Sequence, residues 1–176
     1  MQAKMIGVTS VSIAIVFVMV RFIQVPIVAT GGFTHAGAVA EIFVSLAFGP
    51  MVGLVASGVG AALADLTSGY AHFAPLTLPA HAALGLLAGY LGWKHGWGRM
   101  LAGWIAGGLA LVAVYFAGES LVVGVYGGVA RALGELGFNL FQVGLGIFGL
   151  LLFRLVKRGY PEIERLAEPA TFEEVS

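Results

Sequence analysis

Of the 176 residues, 59% are hydrophobic and only 10% are charged, with a mean hydropathy of +0.96; a soluble domain carries about a quarter charged residues, so this composition specifies an integral membrane protein. Nine basic residues balance nine acidic ones, which argues against nucleic acid as a partner. The absence of cysteine excludes disulfides, thiol catalysis and cysteine-held metals.

A bilayer core of about 30 Å needs roughly 20 apolar residues at about 1.5 Å each, and by that measure the chain divides into six transmembrane spans. The first runs from Ile6 to Ile23 and stops at Gln24-Val25-Pro26, because proline disfavours helix in the residue before it. It lacks a strongly basic start and a small-residue cleavage site, so it is read as a helix rather than a removable signal. Residues 24–34 are expected to form a loop around Gly31-Gly32. The second span, His35 to Phe48, is short and is expected to begin below the membrane surface. Gly49-Pro50 turns the chain into the third, Met51 to Thr67, and Ser68 to Ala74 is a loop. Pro75 suits the first turn of the fourth, which runs to Leu91. After the polar, aromatic connector Trp93 to Arg99, the fifth span runs from Met100 to Val123. A glycine-rich turn, Gly124 to Gly128, leads into the sixth, Val129 to Val156.

The fold class is thus an all-α integral membrane protein, one compact bundle over residues 1–158. From Lys157 onward the chain carries five glutamates and two prolines, and residues 159–176 are read as an acidic cytoplasmic tail, a surface or partly disordered segment. Six spans put both termini on one side with Lys4, Lys94, Arg99, Arg154, Lys157, Arg158 and Arg165, against only Arg21 and Arg131 on the other. That bias places both termini in the cytoplasm.

Small residues recur four apart: Ser10 and Ala14; Ala56, Gly60 and Ala64; Gly85 and Gly89; Gly103 and Gly107. Such strips let helices approach closely within a bundle. One of them, most naturally Ser10–Ala14, faces a separate membrane protein on a second reading.

The apolar runs between residues 34 and 93 enclose His35, Glu41, Asp65 and His81, and ionisable groups at lipid depth mark a site inside a bundle. Counting about 1.5 Å per helical residue, nearly all of Glu41, Asp65, His81, Glu119, Asn139 and Gln142 fall in the outer half of the bilayer, from five different helices. With Tyr70, Phe73, Tyr115 and Phe116 nearby, they suggest an outward-opening pocket of aromatic faces and a few orienting polar groups. Each also has a plainer reading: Asp65 as a helix-end cap, His81 bonded to a carbonyl or tied to Glu41, Asn139 and Gln142 as bridges between helices, and the tyrosines as an interfacial belt. The carboxylates, against Arg21 as the one nearby cation, favour a ligand that is cationic or rich in N–H donors. No phosphate loop, Gly-x-Ser-x-Gly elbow or His-Glu-x-x-His pattern occurs, and the histidine spacing matches no helical metal pair.

Five features in order are Phe48-Gly49-Pro50 with Gly53 and Gly60; Ala61 to Leu66 with Gly69-Tyr70; Ala74-Pro75 with Gly85 and Gly89; Tyr115-Phe116 with Glu119; and Asn139-Leu140 with Gln142. Together they resemble the substrate-binding S components of energy-coupling factor (ECF) transporters over most of residues 8–157, nearest to the branch of riboflavin, pyrimidine and pyridoxine-type carriers. The resemblance implies a six-helix vitamin-capture subunit whose loop after the first span closes over the ligand. It further implies docking, through Ser10 and Ala14, onto a membrane coupling subunit that works with two cytoplasmic ATPases. Three departures stand out. Ser10 replaces a commoner alanine; Ala38 stands where many relatives are acidic, with Glu41 a turn later; and His81 stands where relatives often have lysine. Gln2 replaces the histidine that begins nickel and cobalt carriers, so no metal is expected.

The expectation is a transport subunit with no chemistry and no cofactor of its own, binding a small heterocyclic vitamin or precursor through Glu41, Asp65, Tyr70, His81, Tyr115, Glu119, Asn139 and Gln142. A stand-alone permease, an intramembrane enzyme using Glu119 or Asp65 as acid or base, and a purely structural subunit remain open alternatives.

Overall fold

The computed structural model describes residues 2–121 and 128–167. The end of the fifth span beyond Leu121, most of the turn before Gly128, with Tyr126, and the tail beyond Ala167 lie outside the described residues. The chain runs through helix α1 (Gln2–Phe22), strands β1 (Gln24–Ile27) and β2 (Gly32–His35), then helices α2 (Gly37–Phe48), α3 (Pro50–Ser68), α4 (Ala74–Gly92), α5 (Trp97–Leu121) and α6 (Val129–Gly159). A 3-10 helix, Pro161–Ala167, closes it.

Among the described residues, five helices (α1, α3, α4, α5 and α6) are long and apolar enough to cross a membrane. At about 1.5 Å per residue, the twelve residues of α2 fall well short of a bilayer core of about 30 Å. Nearly all of α2 is buried, and it packs against α1, α3, α4 and α6. It is the axis of the bundle rather than one of its outer staves, which is why an otherwise apolar helix can hold Glu41 without exposing it to lipid.

Small residues bring the helices together. A Cβ on Gly85 would collide with the Gly53 backbone, and one on Gly107 would sit 2.6 Å from the Leu84 carbonyl. These contacts join α3 to α4 and α4 to α5 at backbone distance. The Ala56–Gly60–Ala64 strip serves the same end, since a Gly60 Cβ would meet the Ile13 carbonyl of α1 at 2.9 Å. Ser10 and Ala14, by contrast, are exposed on α1. That strip is not used inside the bundle.

Two expectations are corrected. Residues 24–34 are not an irregular loop but an antiparallel hairpin, in which Gln24 pairs with His35 and Ile27 with Gly32. The β-branched and aromatic residues Val25, Ile27, Phe33 and Thr34 favour extended backbone. The turn is closed by the Gly31 N–H donating to the Ile27 carbonyl at 2.9 Å, with Gly31 in the left-handed region at φ 69°. His35 therefore belongs to the hairpin and not to the second helix.

The start of the tail, Pro161–Ala167, is also more ordered than its charge suggests. Ile163, Glu164 and Ala167 of the 3-10 helix are buried, with Ile163 joining the main core cluster. Lys157 Nζ meets Glu164 Oε2 at 2.7 Å, and the Lys94 backbone N–H donates to Glu164 Oε1 at 3.3 Å. The glutamate count hid an apolar stripe at 163, 166 and 167 that packs as one face. Lys4 Nζ donates to the Arg165 carbonyl at 3.2 Å, so the chain enters and leaves the described bundle at the same end.

Candidate functional site

At the opposite end, the hairpin lies over a narrow cleft with a free volume of about 30 Å³, so a ligand larger than a water molecule enters only if the cover or walls move. Its walls come from four helices and one strand. Asp65 stands in the last turn of α3, Phe73 and Thr77 at the start of α4, and Tyr115 and Glu119 near the end of α5. Glu135, Asn139 and Gln142 project from the first half of α6, while Gly32, Phe33 and His35 of β2 form the cover. The α6 residues are spaced at four and three, which aligns them on one helical face.

Polar and aromatic groups are interleaved. The Tyr115 hydroxyl donates to Thr77 Oγ1 at 2.8 Å, and Thr77 in turn faces Asp65. The Phe33 and Tyr70 rings lie 4.5 Å apart, and the Arg131 guanidinium sits over Phe73 at 4.8 Å. Arg131 Nη2 is 3.9 Å from Glu135 Oε1. Asp65 Oδ2, Glu119 Oε2 and Glu135 Oε1 are buried without a hydrogen-bond partner. An unsatisfied buried acceptor costs about 1–3 kcal/mol, more when charged, so this group of atoms is suited to donors that arrive from outside the chain.

His35 Nδ1 accepts the Gly37 N–H at 3.0 Å, which fixes how the hairpin enters α2. Burial, and then the neighbouring His81, hold the His35 imidazole well below its ordinary value of 6.5. The neutral ring is the one that accepts this bond.

Of the residues singled out from sequence, Asp65, Tyr115, Glu119, Asn139 and Gln142 line the cleft together. Tyr70 stands beside it, stacked on Phe33. Glu41 and His81 do not line it. Both are fully buried, and His81 Nδ1 lies 2.8 Å from Glu41 Oε1, the structural tie that was the plainer reading of the pair. His81 touches the site through the edge of its ring against Tyr115, centroids 5.9 Å apart, and through the His35 ring, centroids 5.4 Å apart.

Arg21 is also displaced from the role expected of it. It lies over Phe22 of its own helix, 5.5 Å from the ring, and Arg131 is the cation that faces the carboxylates. Glu135 and Thr77 were missed. Glu135 sits one turn from both Arg131 and Asn139, a spacing readable in the sequence; Thr77 carried no signal beyond being a hydroxyl in an apolar run. Among the described residues no group of three histidine, aspartate or glutamate side chains is arranged to hold a metal.

Residues 1–158 match the family described as "ECF-type riboflavin transporter, S component". An uncharacterized protein from Pyrococcus woesei is 34% identical over 117 residues, which is 66% of this chain and 78% of that one. Among solved structures, that of the S component of a bacterial ECF transporter superimposes with a TM-score of 0.73 at 22% identity, covering 90% of this chain and 98% of the other. At that identity the structural likeness speaks for the fold.

Proposed function

The chain belongs to the S-component family of ECF-type riboflavin transporters, and from that premise we propose that this membrane substrate-binding subunit captures a flavin from the outer face of the membrane. The observation that carries the reading is the meeting, in one covered cleft, of aromatic rings with two amides and three carboxylate oxygens that accept no hydrogen bond among the described residues. Riboflavin presents complementary chemistry. Its flat ring system suits the faces of Phe33, Phe73 and Tyr115. The carbonyl–N–H–carbonyl edge of that ring suits side-chain amides such as Asn139 and Gln142, which both donate and accept. The hydroxyls of its ribityl chain supply donors for Asp65, Glu119 and Glu135. Counting charges suggested a ligand that is cationic or rich in N–H donors; a cation is not required here, because Arg131 faces the carboxylates and the ribityl hydroxyls supply donors.

The side on which the cleft opens follows from the lysine and arginine bias, which puts the terminal end of the bundle in the cytoplasm. Transport then falls to partners: a membrane coupling subunit seated on the exposed Ser10–Ala14 strip, driven by two cytoplasmic ATPases. Riboflavin fluoresces, and stacking against aromatic rings quenches that emission. Titrating riboflavin with the purified protein in detergent is expected to give saturable, stoichiometric quenching. Absence of saturable quenching, together with no flavin in the denatured purified sample, would overturn the flavin assignment.

A further inference from the structure

At the terminal end of the bundle, remote from the hairpin, a second cleft opens between the start of α5 and the end of α6. It has a free volume of about 290 Å³ and is lined by His95, Trp97, Met100, Arg154, Lys157 and Arg158. Three cations converge here from one helical face at spacings of three and one. Lys157 is engaged by Glu164 at 2.7 Å. Arg154 stacks on Trp97 at 4.6 Å, and neither Arg154 nor Arg158 has a carboxylate partner among the described residues. Among the described residues the two arginines thus carry positive charge without a paired carboxylate, beside an apolar floor made by Met100 and the Trp97 indole.

We propose that this cleft binds the phosphate group of an anionic phospholipid. Arginine suits phosphate because its planar fork donates two parallel hydrogen bonds, and Trp97, at a helix start, is the residue type that lies at headgroup level. The lipid source, rather than free phosphate, follows from what continues the cleft along α6. Leu151 and Leu155 are 48% and 65% exposed; each precedes one of the two arginines by three residues and so lies on the same face, offering acyl chains a path down the helix. Basic pockets between transmembrane helices at the cytoplasmic surface hold anionic headgroups in this way.

The test uses the full chain in mild detergent. Its thermal unfolding is followed as phosphatidylglycerol, phosphatidylcholine or inorganic phosphate is added, with retained lipid counted by native mass spectrometry. Phosphatidylglycerol is expected to raise Tm and to remain bound at one per chain, and the other two are expected to do neither. The R154Q/R158Q variant should bind phosphatidylglycerol about thirtyfold more weakly, at about 1 kcal/mol per removed charge. Met100→Trp, which fills the floor without altering charge, should displace the retained lipid even if the double variant folds poorly. Equal gains from phosphatidylcholine, or undiminished phosphatidylglycerol retention in both variants, would overturn the site. A gain from inorganic phosphate alone, lost in R154Q/R158Q, would overturn the lipid as its occupant.

Discussion

Glu41 Oε1 and His81 Nδ1 meet at 2.8 Å in the centre of the bundle, with both side chains wholly buried. They join the short axial helix α2 to α4, directly behind the wall of the candidate site. Their second polar atoms, Glu41 Oε2 and His81 Nε2, have no partner. Removing one member leaves the other stranded, and breaking a buried pair in this way costs about 3–5 kcal/mol. Glu41→Ala is therefore expected to lower the unfolding temperature sharply. In a double-mutant cycle, Glu41→Ala with His81→Ala should be much less destabilised than the sum of the two singles. Strict additivity would show that the pair is not a tie.

The cleft residues should behave in the opposite way. Glu119→Gln and Asn139→Ala are expected to weaken riboflavin binding by about ten- to a hundredfold, the worth of a hydrogen bond involving a charged or buried group, with little change in unfolding. Unaltered affinity in both variants would move the site elsewhere.

Docking is predicted to be separable from binding. Ser10 is exposed on α1, away from the cleft, so Ser10→Arg should leave riboflavin titrations unchanged while abolishing co-purification with a coupling subunit. Assembly that survives the change would show that α1 is not the docking face.

Two glycine substitutions should part company. A Cβ on Gly85 collides with the Gly53 backbone, whereas one on Gly144 meets nothing within 4 Å. Gly85→Ala forces two helices apart and is expected to cost at least the roughly 1–3 kcal/mol of ordinary overpacking. Gly144→Ala is expected to be neutral, or to gain up to about 1 kcal/mol from helix propensity. Detergent unfolding curves of the two variants check both.

The hairpin should respond to pH through His35. Its folded pKa lies below the ordinary 6.5 because burial disfavours the cation. Between those values the unfolded chain binds the proton and the folded one does not, so stability is fully present above about 6.5 and is lost as pH falls below it. His35→Asn, whose side-chain oxygen can still accept the Gly37 N–H, is expected to flatten this decline. An unchanged profile would assign the acid sensitivity to another group.

Composition and periodicity determined that the chain lives in a membrane, where its helices run and which small residues let them touch, because lipid leaves a backbone few ways to satisfy its own hydrogen bonds. The same reasoning singled out Asp65, Tyr115, Glu119, Asn139 and Gln142, which line one cleft, since a polar residue in an apolar helix is costly enough to carry information by itself. Tertiary structure alone decided how those residues divide. Glu41 and His81 look like site residues in sequence, yet they pair with each other when α2 becomes the axis of the bundle. Arg131 faces the carboxylates, and not Arg21, because α6 and not α1 borders the cleft. Pairing of Val25 with Thr34 and burial of Ile163 are likewise contacts between segments. A residue's type states what partners it requires; only packing decides which partner arrives.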